Sequence, residues 1–191
     1  MHTIHHTEAI VLRSEPSGEA NKRLWLFTKE LGLLMVMVQG VRKPEAKLQN
    51  HISDYSVIMA DLIKGKSTWR LISARTIATP LSGKERNPLA RAYVRTIALL
   101  ERFLHGEGSH PELFDHIVVA GTVVQDGTAN ARAFDALSLW KVLVLLGYSS
   151  AEDGDEHFFS LPIDQSIQIV DDNQIKRVIK SATNAISYSH L

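Results

Sequence analysis

Cysteine is absent from the 191 residues of this chain. Its absence excludes a disulfide scaffold, a cysteine nucleophile and a thiolate zinc site, and it fits a reducing compartment. No apolar run approaches the roughly 18 residues that a membrane-spanning helix requires. The first residues also lack the basic and apolar stretches of a secretion signal. The sequence therefore predicts a soluble, cytoplasmic protein with no membrane partner.

An excess of either charge is also missing, because 21 Lys and Arg residues balance 21 Asp and Glu residues. The charge is nevertheless uneven along the chain. Residues 1–80 contain 11 basic and 7 acidic residues, whereas residues 81–191 contain 10 basic and 14 acidic residues. A mildly basic first part suits a polyanionic partner, although a chance fluctuation between the halves would look the same.

Apolar and polar residues alternate along parts of the first 80 residues, as they do in β-strands. Five segments, rich in β-branched and aromatic residues, are separated by breaks that contain Gly or Pro. They span residues 9–12, 23–28, 33–38, 55–63 and 68–73. Five short strands in about 75 residues fit a small closed barrel, of which the oligonucleotide-binding (OB) fold is the commonest five-stranded case. An SH3-like barrel would give much the same pattern.

The period of the apolar residues becomes helical after Pro80. Leu89, Tyr93 and Ile97 begin a stripe at spacings of three and four, and related patterns predict helices over residues 89–104, 110–125, 130–146 and 174–188. Segments 157–161 and 167–170 could pair as a short hairpin. The predicted fold class is α+β, with a five-stranded OB-type β-barrel over residues 1–80. A helical bundle domain over residues 81–191 follows it and carries the hairpin at 157–170.

Several short motifs follow one another along residues 7–148. They are EAIVLRS at 8–14, SGEANK at 17–22, LFTKELG at 26–32, QGVRKP at 39–44, NPLARAY at 87–93, PELF at 111–114 and LLGY at 145–148. This ordered set resembles the RecO family of DNA recombination mediators.

The resemblance implies an N-terminal OB barrel, a helical C-terminal domain and a role in recombinational DNA repair. That role comprises annealing of single-stranded DNA, contact with the C-terminal tail of the single-strand-binding protein, and loading of the recombinase together with RecR. Many family members follow the Leu-Gly-Tyr motif with a Cys-rich zinc module. Residues 149–156 contain no Cys here, so the zinc site is not carried over and no cofactor is predicted.

Binding of single-stranded DNA needs cations along the phosphate backbone and ring faces for the bases. Arg42 and Lys43 are the first choice because they match the family's basic stretch between Gly40 and Pro44. A solvated loop is the plainer interpretation of the same residues. The predicted DNA-binding residues are Lys22, Arg23, Arg42, Lys43, Lys47, Trp69 and Arg70.

Aromatic rings in a small barrel belong more often to its core than to its surface. Trp25 and Phe27 share a strand face and are predicted to be buried against the helical domain. Trp69, next to Arg70, is predicted to be the surface ring that stacks on bases. The Lys-Gly-Lys sequence at 64–66 is interpreted as a plain turn.

An acidic, apolar protein tail would need an apolar groove beside a cation. Arg132 and Lys141 bracket the helix that carries Trp140, and Arg102 is another cation that could bind a carboxylate. The predicted partner-binding residues are therefore Arg102, Arg132, Trp140 and Lys141. Ordinary core packing with exposed basic residues remains the alternative.

The main hypothesis is a mediator without enzymatic activity. The alternative is an interaction adaptor that docks RecR or the single-strand-binding protein and has little DNA affinity of its own. A hydrolase that uses His110 or His116 is a third interpretation, but no catalytic nucleophile accompanies these residues. P-loop, Rossmann and Gly-x-Ser-x-Gly motifs are absent from the sequence, so neither catalytic nor metal-binding residues are predicted.

Overall fold

A computed structural model of the chain describes residues 3–43, 45–83, 87–150 and 156–188. Strands β1 to β5 precede helices α1 to α6, and a 3-10 helix, Lys47–His51, lies between β3 and β4. The strands are Ile4–Ser17, Asn21–Thr28, Gly32–Val38, Val57–Lys64 and Trp69–Ala78. The helices are Pro88–Phe103, Pro111–Asp126, Ala131–Leu145, Glu156–Ser160, Ile163–Ile169 and Asp172–Tyr188.

The chain forms two compact units. The first, the barrel unit, combines Met1–Thr79 with His105–Phe114, and the second, the helical unit, combines Pro80–Leu104 with Asp115–Leu191. No sequence pattern indicated that the segment after α1 belongs with the barrel. No helix in the described part of the chain is both long and apolar enough to cross a membrane.

The five strands close into a barrel in the order β1-β2-β3-β5-β4. Strands β1 to β3 form a meander, and β4 returns to pair with β1, which is the Greek-key arrangement of a five-stranded OB barrel. The barrel is closed by a short parallel contact between β3 and β5, in which Val36 pairs with Trp69 and Met37 with Arg70. The predicted α+β fold, a five-stranded barrel followed by helices, is confirmed.

Alternation along the strands determines which side chains fill the barrel. In β3, Leu34, Val36 and Val38 are buried in the core, whereas Met35 and Met37 lie on the outer face. In β1 the alternation is interrupted, because Val11 pairs with Leu26 but Arg13 pairs with Trp25. The extra residue is a β-bulge, a feature that redirects the side chains that follow it.

The segment His105–Phe114 docks on the β2–β3 turn of the barrel unit. The Leu33 amide donates to the Gly106 carbonyl oxygen at 3.2 Å, and the Ser109 hydroxyl donates to the Lys29 carbonyl oxygen at 3.2 Å. The Phe27 and Phe114 rings lie 5.5 Å apart. Because aromatic pairs at this separation are favourable, hydrogen bonds and ring packing together hold the segment on the barrel.

Side-chain caps begin three helices of the helical unit, α1, α3 and α6. The Asn87 Oδ1 accepts a hydrogen bond from the Leu89 amide at the start of α1, and the Asn130 Oδ1 accepts from two amides at the start of α3. Asp171 and Gln174 exchange hydrogen bonds as a capping box before α6. These caps satisfy amides that have no partner within the helix, and the four predicted long helices are confirmed.

The predicted hairpin at 157–170 is wrong. Residues 156–160 form α4, and residues 163–169 form α5. Pro162 precedes α5, and the Ser166 hydroxyl donates back to the Pro162 carbonyl oxygen at 3.0 Å. Phe158 and Ile163 are buried, which short helices achieve as well as strands do. Short apolar runs do not distinguish the two structures.

Candidate nucleic-acid interface

The outer face of strands β2, β3 and β5 carries a row of partly exposed cationic and apolar side chains. Arg23 pairs with Met37, and Met37 pairs with Arg70, so these three side chains lie on one side of three adjacent strands. Their neighbours Leu24 and Val36 point into the barrel and are fully buried. We call the row Arg23–Met37–Arg70 the cationic row. Neighbouring strands lie about 4.8 Å apart, so the Met37 thioether has one guanidinium group on each side, that of Arg23 and that of Arg70.

A second row lies beside the cationic row and contains a tryptophan. Trp25 pairs with Arg13 on one side and Met35 on the other. The Arg13 guanidinium carbon lies 3.3 Å from the centre of the Trp25 ring, which is a cation–π stack. Met35 is 42% exposed. Phe27 is buried, but it packs on Phe114 of the barrel unit and not, as predicted, on the helical domain. The predicted burial of Trp25 is wrong, because this side chain is only half-buried and lies under Arg13.

The Arg23 side chain brings a desolvated donor to the cationic row. Its Nε is buried and has no hydrogen-bond partner within the described residues. A buried donor without an acceptor is costly, and an anion on the outer face would supply the acceptor only if the Arg23 side chain moved to expose its Nε. Arg23 and Arg70 were both predicted as DNA-binding residues, and the strand pairing brings them into one row.

The loop after β3 is tied to the β1–β2 turn at one end of this face. The Arg42 Nη1 donates to the Gly18 carbonyl oxygen at 2.7 Å, and the Arg42 amide donates to the Ala20 carbonyl oxygen at 3.0 Å. The Gly40 amide donates to the Asn21 Oδ1 at 2.9 Å. These bonds gather the predicted residues Arg42 and Lys43, both exposed, beside Lys22 at the start of β2.

The remaining predicted DNA-binding cation lies further along the same loop. Lys47 is exposed and begins the 3-10 helix, whereas Pro44, which was expected to follow the basic pair, lies outside the described residues. In OB folds the outer face of strands 2 and 3, the first loop and the β4–β5 loop contact nucleic acid. The predicted cations thus lie on or next to this part of the barrel, and their role in DNA binding stays a prediction.

Trp69 is not a surface ring, and that expectation is wrong. It is only 6% exposed, because its pairing with Val36 turns the side chain into the mouth of the barrel. The His5 ring packs edge-on against it at 5.1 Å. Its indole Nε1 donates to Glu107 at 3.0 Å, and the same carboxylate accepts from Lys64 at 2.8 Å.

The predicted partner-binding residues are spread over the helical unit. Trp140 is 1% exposed and belongs to the core, so it offers no surface for a protein tail. Lys141 donates to the Leu161 carbonyl oxygen and lies 5.7 Å from the Phe159 ring. Arg132 lies 3.6 Å from the Asp172 carboxylate, and Arg102 is exposed beside Phe103 on α1. Arg102 and Lys141 both lie within 6 Å of an aromatic ring, but Phe103 is buried whereas Phe159 is half-buried, so the Lys141 ring is the more accessible of the two.

His116 lies inside the helical unit, with 6% of its surface exposed. Its Nε2 is 3.3 Å from the Ser138 carbonyl oxygen, and its Nδ1 has no partner within the described residues. Burial, with the charge of Lys141 as the lesser cause, lowers the pKa of His116 to about 3. The side chain is therefore neutral at physiological pH and out of contact with solvent. In the part of the chain that the structure describes, no three His, Asp or Glu residues group as metal ligands.

Sequence reasoning missed four residues that shape the surface of the barrel unit. Met35 and Met37 were recognised only as strand residues, although their alternation with Leu34 and Val36 signals an outward position. Arg13 was not singled out, because the bulge that turns it onto Trp25 has no clear sequence signal. Glu107 lies 38 residues from its partner Trp69, and no local pattern connects the two.

Comparison with known proteins agrees with this architecture. Residues 1–79 match the family described as "Recombination protein O N terminal". A protein named DNA repair protein RecO from Synechococcus elongatus is 36% identical over 150 residues, which cover 75% of this chain and 54% of that protein. The protein of the same name from Dehalococcoides mccartyi is 29% identical over 142 residues, which cover 74% of this chain and 56% of that protein. The RecO protein from Bacillus subtilis is 25% identical over 160 residues, which cover 79% of this chain and 62% of that protein.

The chain spans little more than half the length of these relatives. The zinc module of the family does not fit the residues present, since the stretch after Tyr148 contains no Cys. Residues 151–155 of that stretch lie outside the described residues. The family match to the barrel and the identity that continues into the helices identify the chain as a member of the RecO family, with an OB-type N-terminal domain.

Proposed function

We propose that this protein is a recombinational DNA-repair mediator that binds single-stranded DNA across the outer face of β2, β3 and β5. The observation that carries the proposal is the cationic row beside the Arg13–Trp25 stack. Phosphates would pair with the guanidinium groups of the cationic row, and bases would lie on the methionine side chains and on the Arg13 guanidinium that covers Trp25. The contact uses no base edges, so binding would be tolerant of sequence and sensitive to salt. The protein performs no covalent chemistry in this role and acts in the cytoplasm.

Salt titration of DNA binding tests the proposal. The chain is mixed with a fluorescently labelled oligothymidylate at several salt concentrations, and the affinity is followed by anisotropy. Each phosphate neutralised on a single strand contributes about −0.7 to the slope of log affinity against log salt concentration. Absence of binding at low salt, or binding that is indifferent to salt, would overturn the proposal.

Two charge reversals on strand β5 locate the DNA path. Arg70→Glu removes a cation from the cationic row, whereas Arg75→Glu makes the same change five residues along the strand, beyond its pairing with β3. We expect Arg70→Glu to weaken binding about tenfold at low salt and to flatten the salt slope by about 0.7 per lost contact. Arg75→Glu should change the affinity by less than about twofold. Equal losses would show that the face is wrong.

Annealing and partner binding complete the proposed function. A pair of complementary labelled strands should anneal faster with the protein, and Arg70→Glu should reduce the acceleration. RecR and the single-strand-binding protein are the proposed protein partners. The tail of the single-strand-binding protein would bind near Lys141 and Phe159, where a cation and an aromatic ring lie together. A pull-down with and without that tail measures this contact.

The adaptor alternative is distinguished by the same experiments. An adaptor would retain RecR or the single-strand-binding protein in the pull-down but would show no salt-dependent DNA binding. The exposed cations of the barrel unit favour the mediator, because an adaptor has no need of a cationic row on its OB face.

A further inference from the structure

A two-donor site occupies the β4–β5 end of the barrel, and the protein's own carboxylate fills it. The Lys64 Nζ donates to the Glu107 Oε2 at 2.8 Å, and the Trp69 Nε1 donates to the Glu107 Oε1 at 3.0 Å. Lys64 and Trp69 are paired across the two strands that the β4–β5 turn joins. The turn itself is closed by the Gly65 amide, which donates to the Thr68 carbonyl oxygen at 2.9 Å.

The two donors are arranged to hold an oxyanion with two oxygen atoms on one centre. Each Glu107 oxygen takes one donor, and the Lys64 ammonium also lies 5.2 Å from the centre of the Trp69 ring. These bonds lower the pKa of Glu107 below its ordinary value, with the hydrogen bond from Lys64 as the main cause. The carboxylate is therefore ionised at neutral pH, and its charge neutralises Lys64.

Release of the Glu107 carboxylate would cost little at Lys64 but would leave the Trp69 indole without its acceptor. The Lys64 and Glu107 side chains are 58% and 49% exposed, and exposed ion pairs are weak. The Trp69 indole, in contrast, is nearly buried, and a buried N–H without an acceptor is unfavourable. A ligand that displaces Glu107 must thus bring an oxygen for the indole and a negative charge for Lys64. A phosphodiester supplies both.

We infer that Lys64 and Trp69 form a phosphate-binding site for single-stranded DNA, and that Glu107 occupies this site in the free protein as an internal competitor. The inference rests on the proposed function and adds regulation to it. DNA that reaches the β4–β5 turn exchanges one carboxylate for one phosphate on the same two donors. Glu107 thereby weakens binding of short or poorly placed strands.

Removal of the Glu107 charge tests the inference. Glu107→Gln keeps an amide oxygen for the indole, so the fold is preserved, but the competing charge is lost. Glu112→Gln is the matched control, because it removes a carboxylate from the same docked segment, on an exposed side chain. We expect Glu107→Gln to raise the affinity for oligothymidylate about threefold, in line with the strength of an exposed ion pair. Glu112→Gln should raise it much less.

The Lys64→Gln background separates local competition from general electrostatics. If Glu107 acts by occupying Lys64, then Glu107→Gln should have no effect on affinity in a chain that already carries Lys64→Gln. The assigned indole N–H signal of Trp69 in a nitrogen-15 spectrum provides a second readout. It should move when oligothymidylate is added to the wild type, and inorganic triphosphate should move it in Glu107→Gln.

The outcomes are distinct. Equal effects of Glu107→Gln and Glu112→Gln, a gain that persists without Lys64, or a Trp69 signal that DNA leaves unchanged would each overturn this inference while the proposed function stands. Failure of the wild type and of every variant to bind DNA would overturn the proposed function and this inference together.

Discussion

The Arg42 guanidinium holds the Gly18 carbonyl oxygen at 2.7 Å, so the loop after β3 is bonded to the turn between β1 and β2. The Arg42 side chain therefore contributes in two ways, because it holds the turn by a hydrogen bond and adds a positive charge to the surface. Lys43, its exposed neighbour, adds charge only. The pair provides a comparison between losing a cation and losing a cation together with a turn.

Arg42→Ala and Lys43→Ala should weaken DNA binding to different extents. Each removes one charge and should flatten the salt slope by about 0.7 if that charge meets a phosphate. Only Arg42→Ala should also speed amide hydrogen exchange over residues 18–20, because the turn loses the hydrogen bond from the Arg42 side chain to the Gly18 carbonyl oxygen. Anisotropy and hydrogen exchange measure the two effects. Identical exchange in both variants would show that the Arg42 bond does not order the turn.

Gly32→Ala should destabilise the barrel unit. Gly32 has a φ of +73°, and a Cβ there would come within 2.3 Å of the Gly108 carbonyl oxygen. The left-handed conformation and the collision together should cost about 3 kcal/mol of unfolding free energy. Gly18→Ala is the control, since Gly18 has a φ of +67° but nothing within 4 Å. That substitution should cost about 1 kcal/mol. Chemical denaturation measures both, and similar values would contradict the close approach.

Acid should destabilise the helical unit through His116. The pKa of His116 is about 3 when folded, against an ordinary value of 6.5. Between these two pH values His116 binds a proton in the unfolded chain but not in the folded chain. The free energy of unfolding therefore falls as the pH drops from 6.5 towards 3. Between pH 7 and pH 5 this should remove about 2 kcal/mol.

His116→Gln is the variant that isolates this effect. It should flatten the dependence of unfolding free energy on pH in that range, whatever it does to stability at pH 7. Denaturant titrations at several pH values provide the measurement. A wild type and a variant with parallel pH profiles would show that another group controls acid stability.

Trp25 should be the tryptophan that external quenchers reach. The chain has three tryptophans, and Trp69 and Trp140 are 6% and 1% exposed. Acrylamide should quench part of the fluorescence in the wild type and much less in Trp25→Phe. Single-stranded DNA should protect the wild-type signal, because a base stacked beside Arg13 would cover the ring. Quenching that survives Trp25→Phe would place the exposed indole elsewhere.

Local patterns predicted much of the fold. The alternation of Leu34, Met35, Val36 and Met37 identifies both a strand and its outer face. The helices predicted to begin at residues 89 and 130 begin at residues 88 and 131, after the caps Asn87 and Asn130. The hairpin prediction failed because Phe158 and its neighbours form an apolar run too short to define a period.

The candidate site was harder to predict because its parts meet through pairing between distant residues. Arg23 and Arg70 were both selected from the sequence, but their common row exists only because Met37 lies between them. Trp69 was placed on the surface because nothing local reveals that it faces Val36. Glu107 had no distinguishing sequence feature, because its role depends on contacts with Lys64 and Trp69, which lie 43 and 38 positions earlier in the chain.

The parallel contact between β3 and β5 has a consequence for folding. It consists of Val36 with Trp69 and Met37 with Arg70, partners that are 33 positions apart along the chain. Pairings between distant residues form slowly because the loop must be ordered first. Arg70 would therefore join Arg23 and Met37 late. A partly folded barrel would carry the same charges without the continuous row, so the row distinguishes the finished barrel from its precursors.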